Sequence, residues 1–593
     1  MIVTWFGAPA RAVFPRHALR RCVAASALCT AIVLAACGGN KDETQTTEPS
    51  ALPASRSEAA MFLSKATFGP TESDIDRVMA IGYAAWIDEQ LATPAASHRA
   101  RWEAADAAIK AADPMAEAGQ DPVFYSFWKQ AVSGNDQLRQ RVAYALSQIM
   151  VISMVDGTVG DNPRAVAAWL DVLGDKGLSN YRDLIEAVSL HPMMGVYLSH
   201  LRNQKADART GRVPDENFAR EVMQLFSIGL VELNPDGTAK TNAGRPIETY
   251  GPSDIAGLAR VFTGFSWACP GAPASGCFFN GSLNGVSDPD RSFKPMIGYA
   301  QYHSTEAKTF LGATIASQSS ANPQASLAAA LDALHRHPNV GPFIGKQLIQ
   351  RLVTSNPSPD YVRSVANIFA DNGAGVRGDM KAVIKAVLLH PEALRTSDTA
   401  GKVREPVLRL SALLRAFNYR SDTGEYRIGN TDNAATSLGQ TPLRAPSVFN
   451  FYRPGFVPPG THAAAQNLAL PEMQIVHETS AAGYVNVMRD AIASGVGANT
   501  NASGTSRRDL QPDFTAEIAL ADQPGALIDR IGTKLLYGAM PADLKAEIQG
   551  AIERIAIPTP TSSNANQVAA AKRTRVNAAL FLTLVSPEFL VQK

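Results

Sequence analysis

Neither an excess of one charge nor a membrane-crossing segment marks the body of this chain. Lys and Arg number 55 against 54 Asp and Glu, for a net charge of +1. That balance gives no basic surface for nucleic acid and no like-charge arm. Beyond residue 36 no apolar run is long enough to span a bilayer. Cysteine is scarce, with five in 593 residues. No C-x-x-C pair, G-x-S-x-G elbow, Walker loop or H-E-x-x-H helix occurs. The common serine-hydrolase, nucleotide-binding and two-histidine zinc signatures are therefore missing. His477-Glu478 runs on into Thr479-Ser480-Ala481 and fails the last of these patterns. Gly373-Ala374-Gly375-Val376-Arg377-Gly378 spells G-x-G-x-x-G, but helical periodicity precedes it where the dinucleotide fingerprint requires a strand. It reads as a turn between helices.

What the chain does have begins at its N-terminus. Arg16, Arg20 and Arg21 precede an apolar run over 22–36, which ends in Leu34-Ala35-Ala36 before Cys37. A basic region, an apolar region and small residues at a cleavage point make a secretory signal. Cysteine directly after Leu-Ala-Ala resembles a bacterial lipobox, which makes 1–36 a signal peptide and Cys37 a lipid-carrying mature N-terminus. The lipid is then the membrane anchor. Gly38 and Gly39 stand where an aspartate retention signal would sit, which resembles an outer-membrane address facing the periplasm or the exterior. Residues 37–57 are rich in Thr, Ser, Glu and Pro and read as a flexible tether.

The rest, 58–593, shows mainly helical periodicity, with examples over 74–91, 137–154, 217–230, 326–335, 359–370, 379–389 and 405–417. The expected fold is mainly α: a large multi-helix region with one irregular, partly β insertion at about 262–302, and a division into two subdomains near 320. Within the insertion, Cys269 and Cys277 flank a Pro/Gly/Ala/Ser turn. With Cys22 and Cys29 in the leader and Cys37 lipidated, these two thiols read as a disulfide in an oxidising compartment. A weak repeat also appears. Apolar helices run into His191-Pro192, His337-Pro338, His390-Pro391 and Ser586-Pro587. Proline disfavours helix at the preceding residue, and a histidine there is expected to bond a free carbonyl of the last turn. That reading makes these histidines helix terminators before metal ligands.

The densest patch is Arg212-Val213-Pro214-Asp215-Glu216-Asn217-Phe218-Ala219-Arg220-Glu221-Val222-Met223-Gln224-Leu225-Phe226-Ser227-Ile228-Gly229-Leu230, beside His191-Pro192-Met193-Met194-Gly195. Together with stretches at 66–71, 303–312, 337–352 and 439–454 it resembles the DUF1800 family, bacterial proteins of uncharacterised function that often look exported. The resemblance covers about 58–593. It implies no agreed chemistry. The family commonly has His-Asp where this chain has His303-Ser304, so no carboxylate acts at that position.

Physically, Pro214 and Asp215 make a helix start, and Phe218, Val222, Leu225, Phe226 and Gly229 form the apolar side. Glu216 and Arg220 are four apart, in ion-pair orientation. Asn217, Glu221 and Gln224 share one edge. As a catalytic group, Glu216, Arg220, Glu221 and His200 suit acid/base work, with Asn217 and Lys205 as binding residues. The bland reading is a polar network joining helices. His200, Glu221 and His303 form the metal-ligand alternative, which would take a divalent ion; no other cofactor is indicated. Phe449, Phe451, Tyr452 and Arg453 make an aromatic loop, either a stacking surface for ligands or a hydrophobic plug. The expected function is a lipid-anchored envelope protein that binds a protein or polymer partner. The alternative is a periplasmic, metal-assisted hydrolase centred on the Glu216–Glu221 segment.

Overall fold

The computed structural model describes residues 52–395 and 400–593, so the leader, the lipobox with Cys37 and most of the tether lie outside the described residues. The described residues carry twenty-six α-helices, and their strands form only small antiparallel pairs and one three-stranded sheet. The mainly α expectation holds. One apolar cluster runs from Ala59 to Phe589, drawing on helices from both sides of residue 320. Its largest members, such as Trp128, Trp169 and Tyr181, are fully buried. Burying apolar surface on this scale supplies the dominant driving force for folding.

Local chemistry sets where the helices stop. The 74–91 segment, expected as one helix, is two: Glu72–Ile81 and Tyr83–Ala92. Gly82 separates them at φ +82°, a conformation that favours glycine. Thr71 and Asp74 close a capping box at the first. The 217–230 segment is helical only over Asn217–Gln224. Gly229, at φ +72°, then turns its N–H back to the Met223 carbonyl at 3.0 Å, a wide turn that ends the helix.

The insertion is partly β, as expected. Phe265–Ser266 pairs with Ile297–Gly298, and Ser282–Leu283 with Val286–Ser287. Cys269 and Cys277 form the disulfide, with Cα atoms 5.6 Å apart. Around it Cys277, Phe278 and Tyr299 make a small satellite core. The three-stranded sheet of Arg420–Ser421, Val496–Thr500 and Arg507–Gln511 was not expected from the pattern.

The His-Pro repeat closes helices, but the histidines act forward rather than back. Nδ1 of His191 accepts from the N–H of Met193 at 3.2 Å, His337 from Asn339 at 3.2 Å, and His390 from Glu392 at 3.3 Å. The imidazoles of His191 and His390 therefore cap the start of the next helical segment, while that of His337 closes the turn leading into the Val340–Leu352 helix. The expected bond to a last-turn carbonyl is corrected: a neutral Nδ1 is an acceptor, and the free groups at a helix start are donors.

Candidate functional site

The Asn217–Gln224 helix lies with Phe218 inside. Its ring meets Phe262 edge-on at 4.7 Å and stacks on His200 at 3.8 Å. Asn203 fixes the approach to this helix, since its side chain accepts from the Asp215 N–H at 2.9 Å and donates to the Asp215 carbonyl at 3.1 Å. Asp215 in turn accepts from the N–H of Asn217 at 2.8 Å, with the helix opening at Asn217. Glu216 and Arg220 stand 3.6 Å apart with each side chain nearly half exposed. Such a pair is solvated and weak. Asn217 points to the Ser199 hydroxyl at 3.4 Å, and Lys205 is half-buried upstream with its N–H on the Tyr302 carbonyl at 2.9 Å.

Glu221 is different. It is 8% exposed, and its Oε2 has no hydrogen-bond partner. Burial pushes its carboxyl above the usual range, partly opposed by Arg220. Next to it, the Tyr250 hydroxyl donates to Gln224 Oε1 at 3.4 Å.

The histidines do not join it. His200 is buried with Nε2 on the Ser189 carbonyl at 2.8 Å, and burial lowers its pKa to about 4. His303 has both nitrogens engaged: Nδ1 on the Thr263 carbonyl at 2.8 Å and Nε2 on the Ser326 hydroxyl at 2.9 Å. No lone pair of that ring is left for an ion. Among the described residues no three His, Cys, Asp or Glu side chains gather into a metal-holding group. His200, Glu221 and His303 are thus not brought together as a ligand set. Ser304, in place of the family's Asp, accepts from the N–H of Glu306 at 3.3 Å and serves a turn.

The aromatic loop is closer to the plug than to the open platform. Tyr452 is buried, with the Arg351 guanidinium 4.6 Å over its ring. Phe449 and Phe451 are half-buried, and exposed Arg453 lies 4.6 Å over the Phe449 ring.

Beneath the loop sits a charged centre that no motif announced. Oε2 of Glu405 receives the Tyr144 hydroxyl at 3.0 Å, the Tyr452 hydroxyl at 2.9 Å, and the amides of Gln148 and Gln440 at 2.6 Å each. Lys402, also fully buried, stands 3.1 Å from Glu472 and donates to the Arg351 carbonyl at 2.9 Å. Arg141 donates to that same carbonyl at 2.7 Å. Burial would raise the Glu405 carboxyl, but Lys402 and Arg141 outweigh it and hold Glu405 below the usual carboxylate range. Burial pulls Lys402 down, against Glu472 and Glu405. One trace of this centre was in the sequence: Arg141 and Arg351 each fall three residues after a core leucine, Leu138 and Leu348, on the apolar stripe of their helices.

With this geometry in hand, comparison with known families is decisive for descent. The model of a family described as a protein of unknown function, DUF1800, matches residues 61–591. The chain belongs to that family. No curated protein and no solved structure matches it.

In this DUF1800 chain a cleft of about 420 Å³ lies between the Val340–Leu352 helix, the 229–237 segment and the loop at 454–469. Gln350 braces it by donating to the carbonyls of Ser355 at 2.9 Å and Pro454 at 3.1 Å. Asn356 holds the far wall through paired bonds to Ala469, both 2.9 Å. Gly229 is required at its rim, because a Cβ there would lie 2.7 Å from the Phe343 ring. A second hollow, of about 350 Å³, borders Arg139 and Asp171. Asp171 is already committed to the start of the His98–Ala112 helix, accepting from the N–H groups of His98 and Arg99 at 2.6 and 3.1 Å.

Proposed function

We propose that this DUF1800 protein is exported, lipid-anchored at Cys37 in the cell envelope, and works there by binding a partner or polymer. The observation that carries the reading is the lipobox, Leu34-Ala35-Ala36-Cys37 behind a basic and apolar leader. The disulfide between Cys269 and Cys277 fits the oxidising compartment that such a leader implies. Gly38 and Gly39 favour the outer membrane. A binding role gains support from the scatter of the acid/base groups: Glu216 faces solvent, while His200 and His303 are locked in the core. The second reading, a hydrolase centred on the Glu216–Glu221 segment, draws on Glu221, the inward carboxyl that burial shifts toward protonation.

The test is metabolic labelling with an alkynyl fatty acid, followed by fractionation and intact mass. The expected result is a labelled, membrane-bound product starting at residue 37, and loss of label in Cys37→Ser. An unlabelled cytosolic product that retains its leader overturns the proposal.

A further inference from the structure

The cleft beside the Val340–Leu352 helix has hydrogen-bonding capacity that the protein leaves unspent. Gln347 is 8% exposed and Ser355 1%, yet Nε2 of the first and the hydroxyl of the second have no partner. A buried donor without a partner costs free energy that a bound polar group can return. These are independent side chains on different segments, and both line the same hollow.

The walls also select by charge and polarity. Among the described residues that line the cleft none is acidic, and Lys346 is the one cation. A cationic ligand therefore finds no counter-charge, whereas a neutral or anionic one does not meet repulsion. The lining is also apolar in part: Phe343, Leu233 and Val457 are half-buried, and Leu230 is 56% exposed despite its size. An exposed large apolar side chain in a cleft that also holds unpaired polar groups is the arrangement expected where a ligand completes the burial.

A ligand matching all three features carries hydroxyls that both donate and accept, an amide for the glutamines, and small apolar patches for the leucine and valine surface. We infer that the cleft binds a glycan segment containing N-acetylhexosamine, with the acetamido group paired to Gln347 and its methyl set against the Leu230–Phe343 wall. This deepens the envelope reading and rests on it for the place where such a glycan is met. Ser355 completes the contact from the cleft floor, while Gln350 and Asn356 act as positioning residues that hold the walls apart.

Titration calorimetry on the full chain in detergent, with the β-1,4 tetramer of N-acetylglucosamine as probe and maltotetraose as the control, tests the assignment. Saturable binding of the acetylated tetramer is expected, about tenfold tighter than maltotetraose. Gln347→Ala should weaken it about tenfold. Should that variant fail to fold, Leu230→Glu at the exposed rim keeps the test alive, because it removes the apolar wall without touching the core. No saturable uptake of the acetylated tetramer overturns the inference. Equal affinity for maltotetraose overturns the acetamido assignment, and unchanged affinity in both variants overturns the location. The two proposals fail separately: a cytosolic, unlabelled chain that still binds the tetramer sinks only the envelope reading, and a lipidated chain that ignores it sinks only the cleft.

Discussion

The Asn217–Gln224 helix and the Glu405 centre invert the usual relation between motif and chemistry. The first lies in the densest motif of the sequence, yet its ion pair of Glu216 and Arg220 is solvated, and of its polar edge Asn217 faces water while Glu221 is buried. The second is spread over residues 141, 351, 402, 405 and 472, with no motif, yet it buries five ionisable side chains that act on one another electrostatically, with Lys402 and Glu472 in an ion pair. Arg141, Arg351, Lys402 and buried Arg409 act on the Glu405 and Glu472 carboxylates there, so cations outnumber anions. A charge in water can be moved at little cost, whereas a buried one is held in place by everything around it. Motif density in this chain therefore marks a fold-defining turn, and the chemically demanding place lies elsewhere.

The largest expected effect comes from that contrast. Glu405→Ala strips the acceptor from four donors and leaves Lys402 and Arg141 with less counter-charge. Breaking one partner out of a buried ionic group costs about 3–5 kcal/mol, so the variant should melt far below the parent or fail to accumulate. Glu216→Ala should lie within about 0.5 kcal/mol of the parent. Thermal melts of the two variants side by side check this, and similar melting points would erase the distinction between the regions.

Acid should separate the same regions in a second way. Burial depresses His191 to about 3 and His200 and His303 to about 4; His200 stacks on Phe218 of the motif-bearing helix, His303 adjoins the insertion, and His191 packs on Trp169. Their ordinary value is 6.5, so below that pH the unfolded chain takes up protons that the folded chain refuses. The stabilisation is complete above pH 6.5 and is lost as pH falls toward 4 and then 3. By pH 5 each imidazole has withdrawn about 2 kcal/mol. Glu405, held below the usual carboxylate range, is still charged at pH 5. Hydrogen exchange at pH 7 and pH 5 should show protection falling over 181–228 before it falls over 405–416. Simultaneous loss would join the two regions into one cooperative unit.

Much of the helical frame was legible because apolar periodicity is a local signal. The disulfide loop was legible for the same reason: Cys269 and Cys277 sit eight residues apart across a turn. The features that escaped were non-local. Val496–Thr500 and Arg507–Gln511 are polar enough to read as loop, and become strands only through pairing with each other and with Arg420–Ser421. Gly82 splits a helix because its φ is positive, which periodicity does not register. The histidines of the His-Pro repeat do mark helix ends, but the direction of their bonds depends on the helical segment after them. Of the site residues, Tyr452 stands out in the sequence as part of an aromatic loop, while its partner Glu405 lies 47 residues away and could be found only through the fold. Arg141 and Arg351, each on an apolar stripe, were the local hints of that centre.

The smallest effect sharpens the comparison most, because it concerns the one residue of the motif-bearing helix that resembles the buried centre. Glu221 is buried like Glu472, and Oε2 of each lacks a hydrogen-bond partner, but Glu472 stands 3.1 Å from the Lys402 ammonium, whereas Glu221 is opposed in its burial by Arg220 without a close ion pair among the described residues. A carboxyl raised by burial is one whose charged form the fold disfavours. Glu221→Gln keeps the shape and removes that charge, so stability at pH 7 should stay level or rise by about 1 kcal/mol. The gain should shrink at lower pH, where the native carboxyl takes up its proton. A loss of stability at pH 7 instead, measured by urea melts, would mean that the charge is used: something in the folded protein holds the ionised form, and the motif would regain the functional role that its solvated Glu216–Arg220 pair does not supply.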